Sequence, residues 1–190
     1  MVEAGTVKLE TERLILRRFL LDDAPDMYNN WANDDEVTRF LVWPTHANVD
    51  VSRSVIENWL AEYDAHGQYI WCIEYRENHR AIGSIGVVER NPITGALEVG
   101  YCLSRNYWGR GLMSEALGAV TGFLFNQVKA ASLEARVDER NLKSKSLLEK
   151  CGFILDRVMV GGGLNNLGRY DARIYRLNND VLNCSETSGY

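Results

Sequence analysis

The sequence has 190 residues, 46% of them hydrophobic, and a formal net charge of −5 at pH 7. This length and apolar content fit one globular domain with an ordinary core. An acidic chain is a poor candidate for a nucleic-acid-binding protein, because such proteins are held largely by contacts between basic side chains and phosphates. We therefore expect no nucleic-acid partner.

The spacing of cysteine and histidine predicts no metal site. The four cysteines form no C-x-x-C pair and the three histidines are scattered along the chain, whereas zinc and iron–sulfur sites need clustered ligands. No apolar run has the length of a signal peptide or a membrane span. These patterns predict a cytoplasmic protein that has neither a metal nor a membrane partner.

Hydrophobic periodicity predicts helices interleaved with strands. In chain order we expect a strand at 13–18, helices at 22–31, 36–41 and 50–63, strands at 69–75, 81–88 and 97–103, a helix at 111–128, a strand at 132–137, a helix at 142–150, and strands at 153–160 and 170–177. His66-Gly67 is expected to end the third helix, and Gly161–Gly163 to form the bulge or loop that separates the last two strands. The interleaving predicts a mixed sheet, with the strands that flank the 111–128 helix parallel.

A strand-to-helix turn carries the strongest functional signal. The strand Leu97–Leu103 is followed by Gly109, Gly111 and a long amphipathic helix. The first amide groups of a helix lack internal acceptors and lie at the positive end of its dipole, so they bind anions. Arg105 and Arg110 add cationic groups for phosphate. Glycine at such a turn also has a purely geometric explanation, and the segment is neither a Walker loop nor a full dinucleotide fingerprint.

Several motifs in order make the resemblance specific. The segment Glu98–Tyr101, followed by Trp108–Gly111 and Ser114–Ala116, resembles the GNAT superfamily of N-acetyltransferases, and within it the RimJ/RimL-like branch. Asn141–Ser144 with Leu147–Phe153 resembles a second motif of the family. The resemblance implies one α/β (α+β) domain at 1–180, with a mixed, mostly antiparallel sheet splayed at a bulge near Val99-Gly100, helices on both faces, and a flexible tail at 181–190.

The resemblance also implies acetyl-CoA as co-substrate and a set of residues that bind it. The pyrophosphate is expected on the amides of the loop and first helical turn, the pantetheine arm beside the edge of the strand, and Asn141 beside the coenzyme. The residues so implied are Tyr101, Cys102, Leu103, Trp108, Gly109, Arg110, Gly111, Leu112, Met113, Ser114 and Asn141. Asn141 also fits the N-cap of the helix that follows it.

Two residues are candidates for proton transfer. Glu98 lies on the strand beside the expected bulge and is the candidate base that deprotonates the amine, directly or through water. Many GNAT enzymes protonate the leaving thiolate with a tyrosine, but the matching residue here is Leu148, so Ser144 is the candidate acid. Glu98 can instead bond across the sheet, and Ser144 can bond back within its helix. A covalent route through Cys102 is disfavoured, since no histidine is near it in sequence.

The acceptor is expected to be a primary amine, either a protein N-terminus or a small molecule. Trp43, beside Pro44, is a candidate to line its cleft. Family members are often homodimers, although this sequence shows no clear interface. Trp108 and Met113 replace a Gln or Arg and a small residue of the family's loop pattern, so a catalytically weak sensor of acyl-CoA is an alternative. An unrelated nucleotide-binding protein is a third.

Overall fold

The computed structural model describes residues 4–63 and 68–179. The expected helix end at His66-Gly67 and the expected tail at 181–190 lie outside the described residues. The strands are β1 Leu9–Glu10, β2 Leu14–Arg17, β3 Ile70–Tyr75, β4 Arg80–Arg90, β5 Leu97–Leu103, β6 Ser132–Asp138, β7 Ile154–Asn165 and β8 Gly168–Asn178. The helices are α1 Ala24–Met27, α2 Asp35–Thr38, α3 Val49–Glu62, α4 Leu112–Asn126 and α5 Leu142–Lys150.

The eight strands form one sheet in the order β1-β2-β3-β4-β5-β6-β8-β7. Every neighbouring pair is antiparallel except β5 and β6, which are parallel and joined through α4. This confirms the mixed sheet and the parallel pair, because a chain that leaves β5 by a long helix returns in the same direction.

Helices cover both faces of the sheet, as the α/β (α+β) class requires. On one face α4 and α5 pack over odd-numbered residues of β5, with Val99, Ala116 and Leu148 in the same cluster. On the other face α1 and α3 pack over even-numbered ones, with Cys102 among their neighbours. The period-two alternation of a strand explains why β5 contributes to both cores.

Strands β5 and β6 separate soon after they begin. Their only paired positions among the described residues are Leu97 with Leu133 and Glu98 with Glu134, so β5 has no neighbour on that side from Val99 to Leu103. The β-bulge that accompanies this separation lies on β4 and not, as expected, on β5 near Val99-Gly100. Val88 of β4 is the extra residue, since Val87 pairs with Val99 and Glu89 pairs with Glu98. Val88 leans onto Gly100, where an added Cβ would lie 2.7 Å from its Cγ1.

Two local predictions are wrong in part. The glycine segment does bulge, at residues 160–162 opposite Asp171, but Gly161–Gly163 belong to β7 and do not separate the last two strands. The turn is at Asn166-Leu167 instead, since β8 keeps pairing with β7 as far as Asn165. The expected 22–31 helix is three pieces, a 3-10 turn at Leu21–Asp23, α1, and a π-helical turn at Tyr28–Ala32.

Candidate active site

The loop between β5 and α4 presents bare amide groups. Gly109 has φ 76° and Gly111 has φ 75°, which is left-handed backbone that glycine adopts without strain. Gly111 caps α4, and the first internal bond of the helix runs from the Glu115 amide to the Gly111 carbonyl, 3.1 Å. The amides of Leu112, Met113 and Ser114 therefore have no acceptor in their own helix. Residues 109–111 are exposed, whereas Leu112 and Met113 are buried, so the side of this site that is open to an anion is the glycine turn.

Trp108 anchors this loop to the strand before it and to α5. Its indole Nε1 donates to the Leu103 carbonyl at 2.8 Å, and the Lys143 ammonium lies 3.9 Å from the centre of its ring. Trp108, which replaces the Gln or Arg of the family's loop pattern, thus makes contacts within the protein. Its ring also places Lys143 beside the loop. The sequence did not single out Lys143, and the only signal for it was its place as the second residue of α5, within the Asn141–Ser144 motif.

The charges around the loop favour a phosphorylated ligand. Arg110 lies over the Tyr107 ring at 5.2 Å, and within the described part of the chain it has no carboxylate partner. Arg105 is different, because its Nε lies 3.0 Å from Asp34 in an ion pair. The Arg105 side chain is 57% exposed, so its contact with phosphate stays a prediction. With free amides, Arg110 and Lys143 together, the loop fits the pyrophosphate of a coenzyme.

A carboxylate in the first turn of α4 fixes the loop from the other side. Glu115 accepts from the backbone N–H of Arg13 at 2.8 Å, and its other oxygen accepts from Arg13 Nε at 2.7 Å. Arg13 Nη1 also donates to the Arg110 carbonyl at 2.9 Å. Burial raises the pKa of Glu115, but the bonds from Thr11 and Arg13 outweigh burial and the net pKa is lowered. The ionised pair thus ties β2 to the loop.

Two hydroxyl groups meet beside the separated edge of β5. The Tyr101 hydroxyl and Ser144 Oγ are 2.8 Å apart, which joins β5 to α5. Burial raises the pKa of Tyr101, so its hydroxyl stays protonated at neutral pH. Asn141 Oδ1 accepts from the Ser144 amide at 3.2 Å, which is the N-cap geometry expected for it. Leu148, at the place of the family's tyrosine, is fully buried in the core.

Glu98 lies on the opposite face of β5 from Tyr101. Its carboxylate oxygens lie 3.3 Å and 3.1 Å from Nε and Nη2 of Arg136 on β6. The Glu98 side chain is 16% exposed, so solvent or a ligand can reach it. The sequence did not single out Arg136, because its partners come from three other strands.

Cys102 shares the face of Glu98 but is held in the core. Its thiol is 3.2 Å from Ser84 Oγ, and burial raises its pKa. A buried neutral thiol is a weak nucleophile, which agrees with the expectation that no covalent route runs through it. Two other predicted site residues also make contacts within the protein. Leu103 is buried, and the Ser114 side chain hydrogen-bonds the Cys151 thiol.

The tryptophan expected at the acceptor cleft is half-buried. Trp43 packs at 5.1 Å against His46, and its carbonyl accepts from Asn166 Nδ2 at 2.8 Å, which attaches the β7–β8 turn to this segment.

In the described residues no helix is long and apolar enough to cross a bilayer. The same residues contain no group of histidine, cysteine or carboxylate side chains placed to hold a metal ion.

Comparison with known proteins agrees with this geometry. Residues 13–154 match the family model described as "Acetyltransferase (GNAT) domain". The chain is 30% identical to the uncharacterized N-acetyltransferase YoaA of Bacillus subtilis over 169 residues, 89% of this chain and 95% of that one.

Two solved structures share the fold. One is the microcin C7 self-immunity acetyltransferase MccE in complex with acetyl-CoA and AMP, with TM-score 0.78, 21% identity, and coverage of 88% of this chain and 93% of that one. The other is RimL, a ribosomal L7/L12 alpha-N-protein acetyltransferase in complex with coenzyme A, with TM-score 0.78, 18% identity, and coverage of 90% and 98%.

Proposed function

Because the chain belongs to the GNAT family of acetyltransferases, with acetyl-CoA as co-substrate, we propose that it transfers the acetyl group directly to a primary amine in a ternary complex. The observation that carries the proposal is the start of α4, where the exposed glycine turn at residues 109–111 precedes amides that have no acceptor in their own helix. The first acceptor class to test is a protein N-terminal α-amine, because RimL, which shares this fold, is described as acting on one.

In this proposal the loop holds the coenzyme and the open edge of β5 holds its thioester arm. Helix amides, Arg110 and Lys143 bind the diphosphate by charge-assisted hydrogen bonds. Backbone groups of β5 between Val99 and Leu103 lack a β6 partner, so they are available to bind the arm. An amide N–H there stabilises the oxygen that becomes negative when the amine attacks the thioester carbon.

Glu98 and Ser144 have opposite tasks on the two faces of β5. An ammonium group must lose a proton before it attacks, and the Glu98 carboxylate receives that proton directly or through water. The carbon–sulfur bond then breaks, and the departing thiolate takes a proton from the Ser144 hydroxyl, which Tyr101 contacts at 2.8 Å. Ser144 regains a proton through water from the nitrogen of the new amide, which loses its second proton in this step. The separation of the two groups by the strand keeps the base from neutralising the acid.

The test begins with the coenzyme and then moves to the acceptor. We expect acetyl-CoA and CoA, but not ATP or NAD, to raise the melting temperature. We then expect release of free CoA thiol with peptides beginning Ala, Ser or Met, or with one of a panel of small amines. The two acceptor arms distinguish an enzyme for protein N-termini from one for small molecules.

Glu98→Gln should slow this turnover about 100-fold or more while CoA affinity changes little, because an amide cannot accept the proton. A melting temperature raised by CoA, without thiol release from any peptide or amine, would favour an acyl-CoA sensor. A melting temperature raised only by ATP or NAD would contradict the placement of the coenzyme. Wild-type rates for Glu98→Gln at every pH would remove Glu98 from the mechanism.

A further inference from the structure

Arg136 lies at the mouth of the opening between β5 and β6. Glu98 and Glu134 are the last paired residues, and two positions further along are Gly100 on β5 and Arg136 on β6. The guanidinium of Arg136 turns back across the gap to both Glu98 oxygens, at 3.3 Å and 3.1 Å, and lies 3.6 Å from Glu89 of β4. One side chain therefore bridges the two strands where they separate.

The same guanidinium holds the glycine bulge of β7. Arg136 Nη1 donates to the Gly162 carbonyl at 3.2 Å, and Gly162 lies in the bulge opposite Asp171. From β8, Asp171 Oδ1 accepts from the Gly161 amide at 2.7 Å. The bulge is thus fixed on two sides, and through Arg136 its position is linked to that of the Glu98 carboxylate.

The charges at the mouth suit a cationic acceptor. Two carboxylates, Glu89 and Glu98, face one guanidinium, which leaves one unit of negative charge, and the Tyr170 hydroxyl is the third titratable group in electrostatic contact with Arg136. The hydrogen bond to Glu98 raises the pKa of Arg136, so it remains charged at any pH of an assay. Each oxygen of Glu98 that accepts one bond from Arg136 retains a lone pair for an ammonium or a water.

We propose that Arg136 is a positioning residue for acetyl transfer, which fixes the Glu98 carboxylate at the acceptor side of the opening and aligns the Gly161–Gly163 segment with it. This inference rests on the proposed function, because it requires Glu98 to receive the proton of the amine. The alternative is a structural role alone, in which Arg136 only joins β4, β5, β6 and β7.

Arg136→Gln and Arg136→Lys separate these roles. In Arg136→Gln we expect kcat for thiol release to fall about tenfold or more, with CoA affinity within about twofold of wild type. KM for the amine should rise as well, because the Glu98 carboxylate is no longer held at the acceptor side of the opening. Arg136→Lys keeps a charged donor for Glu98 and should recover part of kcat.

Arg169→Gln is the matched control. Arg169 Nη1 donates to the Gly161 carbonyl at 3.0 Å, so this change removes an arginine from the same bulge without a contact to Glu98. We expect its kcat and its KM for the amine to match those of wild type. Equal losses of kcat in Arg136→Gln and Arg169→Gln, or a wild-type kcat in Arg136→Gln, would overturn the proposal.

A measurement that needs no activity distinguishes this failure from failure of the proposed function. The 13C chemical shift of the Glu98 carboxyl carbon should differ from that of wild type in Arg136→Gln but not in Arg169→Gln, because only Arg136 bonds the carboxylate. A changed chemical shift in a protein without thiol release would refute the transfer reaction, and with it the role of Arg136 in transfer. An unchanged chemical shift in an active enzyme would refute the positioning role alone.

Discussion

Single side chains at this site act through the hydrogen bonds that orient them. Ser144 has its amide capped by Asn141 and its hydroxyl 2.8 Å from that of Tyr101. A serine that only bonded back within α5 would not need a partner on β5. The contact with Tyr101 therefore favours the interpretation of Ser144 as the acid, with Tyr101 orienting its hydroxyl.

Ser144→Ala tests this arrangement. We expect kcat to fall about 100-fold, since the leaving thiolate loses its positioned proton donor, while the dissociation constant for CoA remains near that of wild type. Tyr101→Phe should reduce kcat less, and the double variant should be no slower than Ser144→Ala, because coupled residues are not additive. Steady-state thiol release and CoA titration measure both effects.

The control is Ser146→Ala, which removes a hydroxyl from an exposed position of the same helix. It should leave kcat unchanged. If Ser144→Ala and Tyr101→Phe also left kcat unchanged, the leaving group would take its proton from water.

At the scale of elements, the proposed function places the coenzyme at the start of α4 and the reaction along β5. The loop between them is held by its own Trp108, by Arg13 just before β2, and by Lys143 of α5. Two residues distant in sequence, Arg13 and Lys143, thus help to fix a segment that is itself exposed. A preformed loop loses little conformational entropy when a ligand binds.

Gly111→Glu should abolish CoA binding. The new carboxylate lies where phosphates bind, and like charges repel, so we expect the dissociation constant to rise at least about 100-fold, or about 2.7 kcal/mol. The left-handed φ of 75° adds backbone strain of about 1–2 kcal/mol for any L side chain. Calorimetric titration with CoA and a melting curve measure affinity and stability separately.

Two variants isolate the charge from other effects. Gly111→Ala has the strain without the charge and should retain more affinity. Gly118→Glu adds the same charge at an exposed position of α4, with no heavy atom within 4 Å of its added Cβ, and should bind CoA as wild type does. Wild-type affinity in Gly111→Glu would contradict the proposed site.

For the whole molecule, ion pairs join the strands across the sheet. Glu134 of β6 is bound by Arg157 of β7 at 3.1 Å and by Arg176 of β8 at 2.5 Å. Burial raises the pKa of Glu134, but the bonds from both arginines outweigh it and the net pKa is lowered. Asp138 likewise has a lowered pKa, since bonds from Arg140 and Asn165 outweigh its burial.

These shifts predict acid-labile stability. A carboxyl whose pKa is lower in the folded state stabilises the fold above its unfolded pKa, about 4, and that stability is lost as the pH falls through the folded value. Burial lowers the pKa of His46, so protonation of the unfolded state begins to destabilise the fold below about pH 6.5. Melting temperatures from pH 8 to pH 3 should fall slightly below pH 6.5 and steeply below pH 4.

Two variants show which residue causes each of the two declines in stability. Glu134→Gln should lower stability at pH 7 by about 1–3 kcal/mol, because two arginines lose the buried carboxylate that they share, and should reduce the steep loss below pH 4. His46→Gln should remove the slight decline that begins at pH 6.5. A melting temperature independent of pH from 7 to 3 would contradict both assignments.

The sequence by itself determined the succession of elements and the coenzyme loop. Alternation along β5, the apolar stripe of α4 and the glycines before it are local patterns, and they identify a strand, a helix and the turn between them because each depends on residues close in the chain. The α5 bounds and the Asn141 cap were predicted for the same reason. The course of Gly161–Gly163 was not, since those residues remain in β7 through pairing with β8.

Only the tertiary structure decided which charged groups meet. Arg105 is paired with Asp34, 71 positions away in the chain. Arg136 bonds Glu98 and Gly162, which lie 38 and 26 positions from it. The extra residue at Val88 rather than beside Gly100 likewise depends on the register between two strands. Such contacts are fixed by how the whole sheet folds, so no local pattern specifies them, and they determine which predicted groups are available to a substrate.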